Sequence, residues 1–338
     1  MTRIFSEGFE MKDTVNVVYT FLGSIDTSQK RSGAASYKMV KGVDYVYNVS
    51  DLSEAYIRFG LRWGDESGTP WDFYLYWRHG TTVLGSVYIS FDTNGFLQVK
   101  TGSTTQDTGS ISINKDTWYS IEVHIKIDDA TGAIETKVDG LDDATFSGDT
   151  KPGADAHFDN LRFFSQSGGA GDALTVWLDD MGINDTAGGV DDSWLGDGRI
   201  IVIKPNGDTA TLDLTPSAAV AHYTLVDDIP ADGDSTYVEG SVDDEEDMYD
   251  LAACGLGDVI ITRIWTEARS KDTGATGKSV ALITLASGGA EVSGGDLALT
   301  GTYTVKVKGA EQLVNPVDSA AWEVADIDAL QAGLRTRP

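Results

Sequence analysis

Three stretches of this chain alternate apolar and polar residues with a strict period of two. In "EAYIRFGLRW", Ala55, Ile57, Phe59, Leu61 and Trp63 alternate with Tyr56, Arg58, Gly60 and Arg62. In "WDFYLYWR", Trp71, Phe73, Leu75 and Trp77 alternate with Asp72, Tyr74, Tyr76 and Arg78. In "YSIEVHIKID", Ile121, Val123, Ile125 and Ile127 alternate with Glu122, His124, Lys126 and Asp128. A strand sends successive side chains to opposite faces, so this period hides one face and leaves the other polar, as in an antiparallel sheet. Turn signals separate the runs: Asn94-Gly95, which suits a type I′ turn, and turns around Gly132 and Gly140. No helical period appears before residue 185. Short strands with closely spaced turns predict a β-sandwich or jelly roll.

After residue 199 the pattern restarts. "RIIVIKPNGDTATLDL" is expected as strand, Pro-Asn-Gly turn and strand, and "GDVIITRIWTEARS" with "KSVALITLAS" as a hairpin pair. "TYTVKVKGA" alternates as a further strand. Only the tail has helical spacing: Trp322, Ile327, Leu330 and Leu334 share one face, predicting a helix from about Ser319 to about Gly333. Between the two blocks lies "LDDMGINDTAGGVDDSWLGDGR", with six Asp and five Gly in twenty-two residues. Turn formers at that density read as a seam. The expectation is an all-β chain: an N-terminal jelly-roll sandwich over 1–185, a seam over 186–198, and a C-terminal β-sandwich with a short terminal helix over 199–338.

A length of 338 residues fits two domains, and a net charge of −28 removes a general nucleic-acid role, which needs a basic stripe. Cys254 is the only cysteine, so no intrachain disulfide forms. "MTRIFSEGFEMKD" has no apolar run, so no signal peptide is expected, and no stretch approaches a membrane span.

Catalytic patterns are sparse. The strand with Glu122, His124 and Lys126 offers a single carboxylate, whereas glycosidase chemistry needs two across the scissile bond. The four histidines, His79, His124, His157 and His222, accompany no nucleophile elbow. "GATGKS" (274–279) has too short a glycine spacing for a phosphate loop and runs into a strand. No cofactor is expected. The nearest approaches to a calcium site are Asp179 and Asp180 beside "DDSWLGDGR", and Asp228, Asp232 and Glu239 in "DIPADGDSTYVE", where Pro230 takes a ligand position. The sharpest binding candidate is a polar sheet face carrying Tyr56, Arg58, Arg62, Tyr74, Tyr76 and Arg78, with tyrosine rings to meet sugar C–H faces and guanidinium groups to meet hydroxyls.

"TWYSIEVHIKIDDATGAIETKVDG" and "SVYISFDTNGFLQVKTG" resemble the core strands of concanavalin A-like (laminin-G-like) jelly rolls. "SEGFE", "SGAASYKM" and "LRFFSQ…LTVWLDDMGIND" resemble the opening and closing strands of that fold. "LDDMGINDTAGGVDDSWLGDGRIIVIKPNGD", "DDIPADGDSTYVEG" and "NPVDSAAWEVADIDALQAGLR" resemble tailed-bacteriophage structural proteins, in which a jelly roll precedes a second β-domain. The resemblance implies a non-enzymatic virion component of tail, baseplate or capsid surface, assembled in the bacterial host cytoplasm as a homo-oligomer among other virion proteins. The alternative expectation is a carbohydrate-binding adhesion module recognising host-surface glycans; a glycoside hydrolase is the third.

Overall fold

The computed structural model describes residues 3–10, 23–67, 71–90, 95–167, 173–229 and 231–338. The chain forms two compact units, Met1–Ile201 and Val202–Pro338. In the first, the strands are β1 (Arg3–Glu7), β2 (Ser24–Asp26), β3 (Ser36–Val40), β4 (Asp44–Leu52), β5 (Glu54–Ser67), β6 (Trp71–His79) and β7 (Thr82–Ser90). Then come β8 (Leu97–Thr101), β9 (Thr104–Thr108), β10 (Tyr119–Lys126), β11 (Gly132–Val138), β12 (Leu141–Gly148), β13 (Phe158–Ser167) and β14 (Ala173–Asp185).

These strands make two antiparallel sheets. One is ordered β12-β11-β10-β5-β14-β3-β2, with β1 also paired to β14; the other is β4-β13-β6-β7-β8-β9. The period-two residues do what alternation requires. Ile57, Phe59 and Leu61 of β5, Phe73, Leu75 and Trp77 of β6, and Ile121, Val123 and Ile125 of β10 are all buried in one core. Phe59 meets Phe163 edge-on at 5.1 Å and Phe73 at 6.1 Å, so β5 packs across the sandwich on β13 and β6. Each such side chain contributes roughly 1.5–3 kcal/mol of burial. Asp139 (φ 50°) and Gly140 (φ 81°) turn the β11–β12 hairpin. Asn94 and the Trp71 side chain lie outside the described residues.

The residues expected as a seam are part of the first unit. They also change one expectation about β10: its polar side is not open, since Glu122 and His124 are buried with the rest of the strand.

The second unit contains β15 (Pro205–Leu212), β16 (Thr215–Pro216), β17 (Val238–Glu239), β18 (Glu246–Leu251), β19 (Glu267–Ser270) and β20 (Ser279–Leu285). β21 (Glu291–Ser293), β22 (Leu297–Ala298), β23 (Thr304–Lys308), the one-turn helix α1 (Val324–Asp328) and β24 (Gln331–Arg337) complete it. Its main sheet is β15-β18-β24-β20-β21, with β22 on β20; β16–β17 and β19–β23 are two-stranded. The expected hairpin of "GDVIITRIWTEARS" with "KSVALITLAS" does not form, because β20 takes β24 as its partner. The Pro-Asn-Gly segment lies inside β15 rather than turning the chain.

The terminal helix is shorter than its spacing predicts. Trp322, Ile327 and Leu330 do share one buried cluster, and Glu323 and Asp326 form a capping box around α1. Leu334 instead joins the Val280–Leu282 cluster from β24. Gly333, read as a helix cap, is a close-approach point between β24 and β18: a Cβ there would stand 2.0 Å from Asp247 O and 2.6 Å from Met248 Sδ. Pairing on both edges of β24 outcompeted local helical preference. Gly333→Ala is therefore expected to destabilise the second unit by about 1–3 kcal/mol, the cost of forcing a methyl into packed backbone. A lower urea midpoint for that unit is the readout, and an unchanged one would contradict this register.

Candidate functional site

Identical alternation sends the polar residues of β5 and β6 to opposite outsides of the sandwich, because the two strands belong to different sheets. Tyr56, Arg58 and Arg62 are thus separated from Tyr74, Tyr76 and Arg78. The Tyr56 ring stacks on His124 at 4.2 Å and meets Trp194 edge-on at 5.3 Å. Arg58 is 4% exposed and donates from Nε to Asp180 O at 3.0 Å. Arg62 donates to Asp116 (2.8 Å) and lies 4.8 Å over the Trp177 ring.

Residues 186–201 explain this burial. Gly196 N–H donates to Glu122 Oε1 (2.8 Å), Ile200 N–H to Asp180 Oδ1 (2.7 Å), and Asn184 Nδ2 to Ser193 O (2.8 Å). A Cβ on Gly198 would meet the Arg58 guanidinium, so the segment lies directly against that side chain. Asp179 and Asp180 are wholly buried at a bulge in β14, where Asp180 takes φ 50°. Arg31 Nη1 donates to Asp180 Oδ2 (2.9 Å) and to Gly198 O (3.1 Å), and its backbone N–H donates to Asp179 Oδ2 (2.7 Å). A guanidinium and backbone amides thus hold the pair. Burial, with Asp180 alongside, pushes the Asp179 carboxyl well above the usual carboxylate range. Burial also pushes Glu10 up to about 8, against the opposing bond from Ala34 N–H.

Other candidates from the sequence fall as follows. Glu122 is 2% exposed, and His124 is bracketed by Glu135 (2.7 Å) and Glu54 (2.8 Å), so no open acid–base pair stands on β10. Asp228 and Asp232 both accept from Thr236 Oγ1, at 3.0 and 2.9 Å, while Glu239 is exposed on β17 opposite Thr215. The "GATGKS" loop folds round an anion of its own: Asp272 Oδ2 accepts from the backbone N–H of Thr276, Gly277 and Lys278 at 2.5, 2.9 and 3.2 Å. In the second unit His222 Nδ1 lies 2.7 Å from buried Asp247. A cluster the sequence did not suggest, Asp51, His79 and Asp159, could coordinate a metal ion; one ligand atom from each lies within 4.8 Å of the others.

The outer face of the second sheet gathers the most chemistry. Cross-strand register sets Tyr74 between Phe164 and Tyr88, and Tyr76 between Arg162 and Ser86, with Lys100 beyond Ser86. Tyr74 stacks on Tyr76 (4.8 Å, 7°) and packs against Tyr88 (4.8 Å, 38°). Cations lie on these rings: Lys100 Nζ is 3.9 Å from the Tyr88 centroid, and the Arg162 guanidinium is 4.3 Å from Phe164 and 5.9 Å from Tyr76. The rings therefore engage one another and the cations instead of lying open as sugar platforms. Asp72 accepts from the hydroxyls of Tyr88 (2.7 Å) and Tyr74 (3.3 Å), and Arg162 binds Asp44 through two nitrogens at 2.8 and 2.9 Å. Arg78 Nε donates to Asn160 Oδ1 (2.8 Å). Burial raises the Tyr76 hydroxyl to about 12 and Tyr74 further, so both stay protonated donors. Burial also lowers the Lys100 ammonium, which has no hydrogen-bond partner among the described residues. Tyr88, Lys100 and Arg162 were missed because pairing of β7, β8 and β13 beside β6 has no local signature.

No family model matches the chain, and no curated protein does. Among solved structures, the alginate lyase Aly36B is similar at TM-score 0.38 and 15% identity, over 53% of this chain and 96% of that one. A carbohydrate esterase from the Shiga toxin-encoding bacteriophage phi24B is similar at TM-score 0.38 and 14% identity, over 49% and 88%. The Caenorhabditis elegans galectin LEC-6 follows at TM-score 0.30 and 15% identity, over 44% and 96%. Likeness at this level concerns the sandwich fold alone. The expectation of a non-enzymatic virion component of tail, baseplate or capsid surface finds no support among these matches. The matches named are carbohydrate-active enzymes and a galectin, not virion structural proteins, and Asp51, His79 and Asp159 add a candidate metal cluster. The Asp/Gly stretch that opened the virion resemblance belongs to the first unit, in the β14 bulge and the segment tied to Arg31.

The raised Glu10 carboxyl fixes a pH dependence. A carboxyl raised in the folded state stabilises it fully below the unfolded value and loses that contribution as pH rises through the folded value. Stability of the first unit is expected to fall between about pH 5 and about pH 8, by an amount on the order of a few kcal/mol. Glu10→Gln, which keeps an oxygen for Ala34 N–H, should remove the Glu10 share of that slope in denaturant titrations run across the range, leaving the share of the likewise raised Asp179 carboxyl.

Proposed function

We propose that the first unit recognises an anionic carbohydrate through the outer face of its β4-β13-β6-β7-β8-β9 sheet. The observation that carries this reading is Lys100: a half-buried ammonium over the Tyr88 ring, without an acceptor among the described residues, in a chain of net charge −28. A desolvated cation of that kind gains most from a carboxylate or sulfate, in a charge-assisted bond. Around it stand the polar groups a sugar chain needs. Tyr76 presents a hydroxyl held in its protonated form, Arg162 stands opposite it with Nε and Nη2 held by Asp44, and Gln98 is the neighbour of Tyr88 on β8. The closed tyrosine stack favours recognition by charge and hydrogen bonds over stacking on ring faces. Of the face residues expected from sequence, Tyr74, Tyr76 and Arg78 belong to this surface.

A glycan array with the intact chain tests the reading. Carboxylated or sulfated oligosaccharides are expected to bind, and Lys100→Ala to weaken them about 10- to 100-fold, the worth of one hydrogen bond to a charged group. Tyr76→Phe should weaken binding less. Binding confined to neutral glycans, or affinity unaltered by Lys100→Ala, would refute the proposal. Sizing the bound oligosaccharide after incubation shows whether the chain also cleaves it.

A further inference from the structure

We propose that Asp51, His79 and Asp159 form a site for a divalent transition metal of the zinc type, at one end of the second sheet. The three residues come from adjacent strands. β13 lies between β4 and β6, placing Asp159 between the end of β4 and the end of β6. Their ligand atoms already converge within 4.8 Å of one another. In a tetrahedral site with bonds of ~2.1 Å, ligand atoms stand about 3.4 Å apart. Asp51 is exposed and the His79 side chain is 43% exposed, so rotation of these two closes the difference without moving the core.

Local charge supports the assignment. Asp51, Asp155 and Asp159 gather round a single imidazole, and none of the three is ion-paired to a Lys or Arg among the described residues. Asp51 carries no side-chain partner there at all. The groups are also oriented as ligands are. Asp159 is anchored by Gly80 N–H at 2.9 and 3.0 Å and by Asn160 Nδ2 at 2.6 Å. His79 Nδ1 lies 3.1 Å from Asp155 Oδ1, and a carboxylate on one ring nitrogen fixes the tautomer and strengthens the other as a donor. Arg162 on the neighbouring face is taken up by Asp44, and the Asn160 amide beside Asp159 carries no charge.

The donor set selects the metal. Calcium takes six to eight oxygens and no imidazole, whereas imidazole with carboxylates suits zinc and its neighbours. Three protein ligands leave a fourth position open for water or a ligand oxygen. The inference does not rest on the glycan reading, since none of Asp51, His79 and Asp159 is among the residues that carry it.

The test is isothermal titration of the intact, chelator-treated chain with zinc chloride, beside calcium chloride under the same conditions. One saturable zinc site is expected, with no comparable heat from calcium. Asp51→Asn and His79→Ala should each cost at least ~10-fold in zinc affinity, and Asp155→Asn about 10-fold as the loss of an orienting partner. Asp51 has no partner to lose, so Asp51→Asn keeps the fold and separates ligand loss from unfolding. With cobalt, the visible spectrum should report the imidazole and change in His79→Ala. Zinc binding that survives both Asp51→Asn and His79→Ala, no saturable zinc binding, or equal binding of calcium would overturn the proposal.

Discussion

The packing of β5 against β6 and β13 decides the direction of nearly every polar side chain in the first unit. Once Phe59 is locked between Phe73 and Phe163, Tyr56, Arg58 and Arg62 must leave by one side of the sandwich and Tyr74, Tyr76 and Arg78 by the other. A strand cannot slip by one residue without turning its whole apolar set outward, at roughly 1.5–3 kcal/mol per large side chain. The two outer faces then had different fates. One is covered by residues 186–201, and the other keeps its tyrosines, arginines and lysine half-exposed.

The covered face shows how an acidic chain handles buried charge. Asp179 and Asp180 are wholly inside, and Arg31 supplies the positive charge while backbone N–H groups from Arg31, Ser32 and Ile200 fill the remaining acceptor sites. Removing one partner would leave an uncompensated buried carboxylate, which is far costlier than losing an exposed pair. The same network ties the Asp/Gly segment to the sheet. Residues that read as a seam in the sequence therefore belong to the first unit.

The open face turns the same physics toward a ligand. Its aspartates are saturated by tyrosine hydroxyls and Arg162, while Lys100 sits over an aromatic ring with no hydrogen-bond acceptor among the described residues. That asymmetry, in a chain of net charge −28, supports an anionic carbohydrate as its partner. The likeness to carbohydrate-active enzymes and a galectin concerns fold, and the residues of the face carry the chemistry.

The sequence by itself determined that β5, β6 and β10 are strands, which of their residues are buried, and that β11 and β12 turn at Asp139-Gly140. Alternation and positive-φ turn residues are local signals, and they survive into the fold because burial enforces them. It also gave half of the open face, in Tyr74, Tyr76 and Arg78. Only the tertiary structure decided which strands share a sheet, and so removed Tyr56, Arg58 and Arg62 from that face and brought Tyr88, Lys100 and Arg162 to it. Only there did Asp51, His79 and Asp159 meet, across 108 residues of chain. The tail makes the same point: Leu334 has helical spacing, yet β18 and β20 together bind both edges of β24. Strand pairing and charge convergence are long-range, and nothing in a residue's neighbours along the chain encodes the partner it meets across a sheet.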